Sequence, residues 1–171
     1  MNEKKNLTTE ETFALAVQNH KKNNLQVAEN LYNETLKTNP NYAGAHNNLG
    51  IVLNELGEHQ KAMSCYEKVI QIQPNYVDAH YNLGIIFDIQ RQYKKSIEHY
   101  KKAIDLNSNF VIAYNNLGII FYKTKEYEKK MEDINIIKIG LALSCQEVNK
   151  LPTNRFDKKL DYIVTERNLY K

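Results

Sequence analysis

Tryptophan is absent from this chain and cysteine nearly so: Cys65 and Cys145 are the only two, far apart and in no CxxC pair. That pattern offers no disulfide framework, and both thiols are expected to be reduced packing residues of a cytoplasmic protein. Long hydrophobic runs are missing as well. None approaches the roughly 18 residues of a membrane-spanning helix. The polar start Met1–Asn6 leads into no apolar h-region, so neither a secretory leader nor a membrane partner is expected. Charge of one sign is not concentrated anywhere. The formal net charge of +3 is spread over interleaved acids and bases, as in Lys123-Thr-Lys-Glu-Tyr-Glu-Lys-Lys130. Nucleic-acid binders gather their basic residues on one face, so the expectation is a solvated surface of mixed sign and no nucleic-acid partner. There is no GxGxxG, Walker loop, HExxH or GxSxG. No catalytic residue, cofactor or metal is therefore nominated.

What is present is enough for one soluble domain with a real core: 171 residues, 42% hydrophobic and 25% charged. Asparagine is frequent, which weakens the meaning of any single one. The order in the chain comes from repetition. Asn48-Leu49-Gly50 returns as Asn82-Leu83-Gly84 and as Asn116-Leu117-Gly118, each copy 34 residues after the last. A fixed period of that length marks stacked structural repeats.

Helical signals follow the same register. Thr8-x-x-Glu11 is a capping box. It opens a helix from about Thr9 to His20 with Phe13, Ala16 and Val17 at helical spacing. Asn23-Asn24 ends that helix, and a second follows with Leu25, Ala28, Leu31, Tyr32 and Leu36, stopped at Asn39-Pro40-Asn41. The unit then repeats: Ala43 to Leu56 with Gln60 to Ile72, and Val77 to Gln90 with Tyr93 to Leu106. Val111 to Lys123 begins a fourth. Turns of a few residues imply antiparallel neighbours. Gly50, Gly84 and Gly118 sit inside helices, where glycine costs about 1 kcal/mol relative to alanine. Its return in register predicts close helix–helix approach, with Ala16 in that place in the first unit and Ala28 and Ala62 meeting the same need on second helices.

These residues resemble the tetratricopeptide repeat, whose pattern is W-x2-L-G-x2-Y, then A-x3-F, then P in a 34-residue unit. The second unit supplies His46, Leu49, Gly50, Leu53, Ala62, Tyr66 and Pro74. The third supplies His80, Leu83, Gly84, Phe87, Ser96 and Tyr100. The first has Leu15, Ala16, Ala28, Tyr32 and Pro40, and the fourth Tyr114, Leu117, Gly118 and Phe121. The resemblance spans about residues 9–144. It implies an all-α fold, a right-handed α-solenoid of antiparallel helix pairs: a flexible tail at 1–8, repeats at 9–42, 43–76 and 77–110, a degenerate repeat at 111–144, and a C-terminal capping helix within 145–171. The fourth repeat departs at Lys130, where a small residue belongs. Met131, Ile134, Ile137, Leu141 and Val148 suggest one long helix to about Asn149. After the break at Leu151–Asn154, Phe156, Leu160, Ile163, Val164 and Tyr170 outline the cap. The alternative is part of a further domain.

The resemblance also implies a concave groove, lined by the first helices, that holds extended peptides. Its residues here would be Asn47, Asn48, Ile51 and Asn54; Tyr81, Asn82, Ile85 and Asp88; and Asn115, Asn116, Ile119 and Tyr122. Asn48, Asn82 and Asn116 are similar to the asparagine ladder of the O-linked N-acetylglucosamine transferases, which grips the backbone of a bound chain. Ala14 breaks that ladder in the first unit. An amide offers both a donor and an acceptor, so it can pair with any peptide unit, while Tyr81, Tyr122 and the isoleucines would select. The alternative is that these amides bond only to adjacent helices or water. A carboxylate clamp needs Lys and Arg where Asn47, Tyr81 and Asn115 stand, and is disfavoured. His46 and His80, the tyrosines in register, Cys65 and His99 read as packing residues. The functional expectation is a non-enzymatic protein–protein interaction module. The alternatives are the targeting arm of an enzyme such as a glycosyltransferase, with catalysis elsewhere, and a scaffold that self-associates through its convex face or Ile134–Leu143.

Overall fold

The computed structural model describes residues 7–124. Expectations that fall on later residues (Lys125 onward, with Lys130, Ile134–Leu143, Cys145 and the cap) lie outside the described part. Among the described residues there are seven α-helices and no strand: α1 (Thr9–Lys21), α2 (Leu25–Thr38), α3 (Ala43–Glu55), α4 (His59–Ile72), α5 (Val77–Ile89), α6 (Tyr93–Leu106) and α7 (Val111–Lys123). The chain divides into two compact units, residues 1–108 with α1–α6 and residues 109–171 with α7. The sequence places helix ends within a residue or so; α3 stops at Glu55 and α5 at Ile89, and α4 starts at His59.

The capping box forms as the sequence requires. Glu11 N–H donates to Thr8 Oγ1 at 3.1 Å, and Thr8 N–H donates to Glu11 Oε2 at 2.9 Å. Each hairpin of the first unit then turns the same way. Asn23, Gly57 and Arg91 occupy equivalent places, with φ of 61°, 79° and 58°. Just beyond them, Asn24, Glu58 and Gln92 donate backbone N–H to Asn19, Leu53 and Phe87 carbonyls at 2.9, 2.8 and 2.8 Å. This wide bond at a left-handed residue closes a helix with its last carbonyls satisfied. Glycine adopts that conformation without steric cost, asparagine tolerates it, and arginine does so at roughly 1–2 kcal/mol.

Between hairpins a second device recurs. His46 Nε2 lies 2.9 Å from the Pro40 carbonyl, and His80 Nε2 lies 3.0 Å from that of Pro74. A carbonyl only accepts, so each Nε2 carries the proton. The ring at the family's aromatic position thus pins the turn that precedes its own helix. In the third hairpin His80 also faces His99 of α6, Nδ1 to Nδ1 at 3.5 Å. The His99 ring stacks on Phe87, 5.3 Å between centroids, and Lys95 Nζ lies 5.2 Å over that Phe87 ring.

Helices pack mainly within hairpins, then between successive ones. The first helices also touch one another, α1 with α3 and α3 with α5, more than the second helices do. That asymmetry puts α1, α3 and α5 on the inner side of the curve in this unit. One continuous core runs through it, from Ala16, Ala28 and Tyr32 through Leu49, Val52 and Tyr66 to Leu83, Ile86 and Phe87. Leu15 of the first hairpin is 37% exposed, while its counterparts Leu49 and Leu83 are buried.

The glycines explain how close the two helices of a hairpin come. A Cβ on Gly50 would stand 2.5 Å from Tyr66 Cε1, and one on Gly84 would stand 2.5 Å from Tyr100 Cε1. Each tyrosine ring fills the space that a side chain would take on the first helix. Ser96 adds a bond in the third hairpin, its Oγ donating to the Gly84 carbonyl at 2.6 Å. For Gly118, nothing among the described residues lies within 4 Å of such a Cβ, and its expected counterpart, Ile134, lies outside them.

Two predictions follow from these contacts. Helix propensity alone would make Gly50→Ala stabilising by about 1 kcal/mol. The overlap with Tyr66 instead costs about 1–3 kcal/mol, so the variant should melt at lower temperature, and Tyr66→Leu should cost less in that background than alone. The second concerns His99, whose pKa is lowered first by burial and then by His80, with Glu98 acting the other way. A depressed histidine favours its neutral form in the fold, so its contribution is intact above the unfolded value of about 6.5 and is lost as pH falls through the lower folded value. Melting temperature should therefore drop between pH 7.5 and 5, and the drop should shrink in His99→Leu, which carries the residue found at the equivalent Leu31.

Candidate functional site: the first-helix face

Helical geometry decides which residues of α3 and α5 are open. Ala79, His80, Leu83, Gly84, Ile86 and Phe87 turn one side of α5 into the core. The opposite side presents Asp78, Asn82, Ile85 and Ile89, spaced as a helical stripe. On α3 the matching stripe is Gly44, Asn48, Ile51 and Glu55. Asn48, Asn82, Ile51 and Ile85 are half-buried, and Ile89 is 51% exposed. Glu55 is held from the first hairpin by His20, Nε2 to Oε2 at 3.1 Å. The first hairpin contributes no amide here. Phe13, in the place of Asn47, packs instead on Tyr42 with ring centroids 4.7 Å apart.

The asparagines form a relay. Asn82 Nδ2 donates to Asn47 Oδ1 at 3.3 Å, and Asn47 Nδ2 donates to Asn48 Oδ1 at 3.4 Å. Asn47 is only 4% exposed. It is therefore a bridge between repeats rather than a surface of the groove, a role that spacing alone did not assign. At the far end the relay meets Tyr32 of α2. The Tyr32 hydroxyl is buried and has no partner in hydrogen-bond geometry. Burial raises its pKa, and the nearby Asn48 amide offsets part of that rise. With the relay oriented this way, Asn48 keeps its amino group and Asn82 its carbonyl oxygen, one donor group and one acceptor group side by side.

The other expected residues divide. Asn54 is drawn into the turn, its Oδ1 2.8 Å from His59 Nδ1. Tyr81 lies against Tyr100, 5.7 Å between ring centroids, and Asp88 is half-buried on the side of the stripe. Asn115, Asn116, Ile119 and Tyr122 lie on α7 of the second unit, where Asn115 and Asn116 are half-buried, and Ile119 and Tyr122 exposed. Asp78 and Ile89 belong to the open stripe although their distance from the Asn-Leu-Gly motif hid them; a helical-wheel reading of α5 would have found both. Burial pushes the half-buried Cys65 thiol up to about 11, which leaves it protonated and a weak nucleophile. Among the described residues no three His, Cys, Asp or Glu side chains converge as metal ligands. No described helix is long and apolar enough to cross a membrane.

This arrangement defines a class, a stack of helical hairpins repeating every 34 residues with an amide-bearing inner face. Residues 41–109 match the family model of the tetratricopeptide repeat. That stretch is tetratricopeptide-repeat sequence, and such repeats are protein-interaction modules. Solved structures share the fold. The crystal structure of MamA aligns with a TM-score of 0.74 at 22% identity, over 82% of this chain and 80% of that one. A MamA RS-1 double mutant gives 0.70 at 22% identity, over 83% and 78%. MamA 41-end from Desulfovibrio magneticus RS-1 gives 0.69 at 23% identity, over 79% and 77%. No curated protein matches the chain.

The relay yields its own prediction. Asn47→Ala removes both bonds, and its neighbours can turn to water, so the loss should be about 1 kcal/mol in chemical denaturation. A double-mutant cycle of Asn47→Ala with Asn82→Ala should return a coupling of roughly 0.5 kcal/mol or more. Strict additivity would show that the two amides do not interact.

Proposed function

We propose that the inner face of the first unit holds an extended polypeptide segment, with Asn48 and Asn82 pairing with its backbone. The observation that carries this reading is the relay. It fixes two amides at neighbouring repeats and leaves a donor on one and an acceptor on the other, the complement of a peptide's C=O and N–H. Half-buried Ile51 and Ile85 lie next to these amides on their helices and offer apolar contact. Asn116 has the same motif position on α7 of the second unit. In this reading the chain is a non-catalytic holder that works in the cytoplasm, and its partner is a protein rather than a nucleic acid or membrane.

Backbone pairing holds a chain without choosing it, because every peptide unit looks alike to an amide. Each such bond adds about 0.5–1.5 kcal/mol net, so the two of the first unit together are worth about 5-fold or more in affinity. Peptides selected from a random displayed library should all bind Asn48→Ala/Asn82→Ala/Asn116→Ala at least that much more weakly, whatever their sequence. The variant should keep its helical content and lose some melting temperature, since both relay bonds to the buried Asn47 are removed, so binding is compared well below that temperature. Unchanged affinity in the triple variant would remove the ladder.

A further inference from the structure

In the two hairpins α3–α4 and α5–α6 the lysines keep to one layer of helices, while acids stand on both. The first helices α3 and α5 contain Glu55, Asp78 and Asp88 and neither lysine nor arginine. Every lysine of these hairpins stands on α4 or α6, from Lys61 and Lys68 to Lys101 and Lys102. Glu55 has His20 as its partner. Asp78 is exposed in the first turn of α5, and among the described residues no cation pairs with it. It lies two turns along the open stripe from Ile85, with Asn82 between them and Ile89 beyond.

We infer that the segment held on this face is aliphatic and basic: Ile, Leu or Val side chains on the row of Ile51, Ile85 and Ile89, and a lysine or arginine beside Asp78. This rests on the groove reading above and specifies its occupant. An exposed isoleucine gains by covering, since burying apolar surface is favourable. An unpaired carboxylate at the rim attracts a cation and repels an acid, an effect that sets encounter rate and register and weakens with salt. An acidic segment would meet only like charge on α3 and α5. The lysines of α4 and α6 lie on the other layer of helices and cannot serve the same segment.

The test selects peptides from a random displayed library on the full chain and on Asp78→Lys. Sequences chosen by the unaltered chain should be enriched in Lys or Arg together with Ile, Leu or Val. A selected peptide should bind Asp78→Lys about 3–10-fold more weakly, the range of one rim charge replaced by its opposite. Changing that peptide's lysine to glutamate should restore binding to Asp78→Lys. Asp78 also favours the α5 N-terminus, so melting curves accompany each variant, and Asp78→Asn, expected to weaken binding less, supplies a milder change. Selected sequences that are acidic or indifferent to charge, with Asp78→Lys binding them normally, would overturn the inference while leaving a groove. Failure to retain any peptide would overturn the groove reading and this inference with it.

Discussion

The contact of a tyrosine ring with bare helix backbone is the constraint on which the rest of the structure depends. Gly50 under Tyr66 and Gly84 under Tyr100 let the two helices of a hairpin approach until no Cβ fits between them. With that distance fixed, the apolar side of each first helix is committed to the core, and the opposite side is committed to the inner face. Asn48 and Asn82 are adjacent in sequence to residues buried by this packing, Leu49 and Leu83. Their direction is therefore set by the core and not by any ligand. A segment held there, as proposed, would meet a face that needs little reorganisation, which lowers the entropic cost of association.

The repeats are alike enough to share a backbone and different enough to show what each residue is for. The left-handed turn tolerates Asn23, Gly57 and Arg91, because the wide hydrogen bond behind it does not depend on the side chain. The histidine that pins the preceding turn is kept at His46 and His80. The position that faces it on the second helix is free to vary between Cys65 and His99. In the third hairpin that freedom sets the half-buried His99 against the buried His80.

Much of the fold was legible in the sequence, since the signals that specify it are local. Capping residues, turn residues and the 34-residue return of Asn-Leu-Gly place the described helices within a residue or so. The candidate site was legible in part. The motif pointed to Asn48 and Asn82 and the open faces of α3 and α5. It did not show that Asn47 is buried and bridges them, because that depends on how far one repeat is rotated against the next. It also missed Asp78 and Ile89, which lie at the two ends of the stripe, and it did not show that the lysines of hairpins α3–α4 and α5–α6 all stand on the second helices. Linear proximity averages over faces; a helix resolves them every 3.6 residues.

The most direct measurement is a backbone and side-chain amide NMR titration of the chain with a library-selected peptide. The account predicts that the side-chain NH2 signals of Asn48 and Asn82 shift together, along with backbone amides of the Asp78–Ile89 stripe, while those of α4 and α6 stay in place. Shifts confined to α4 and α6, with both asparagine side chains unmoved, would contradict it.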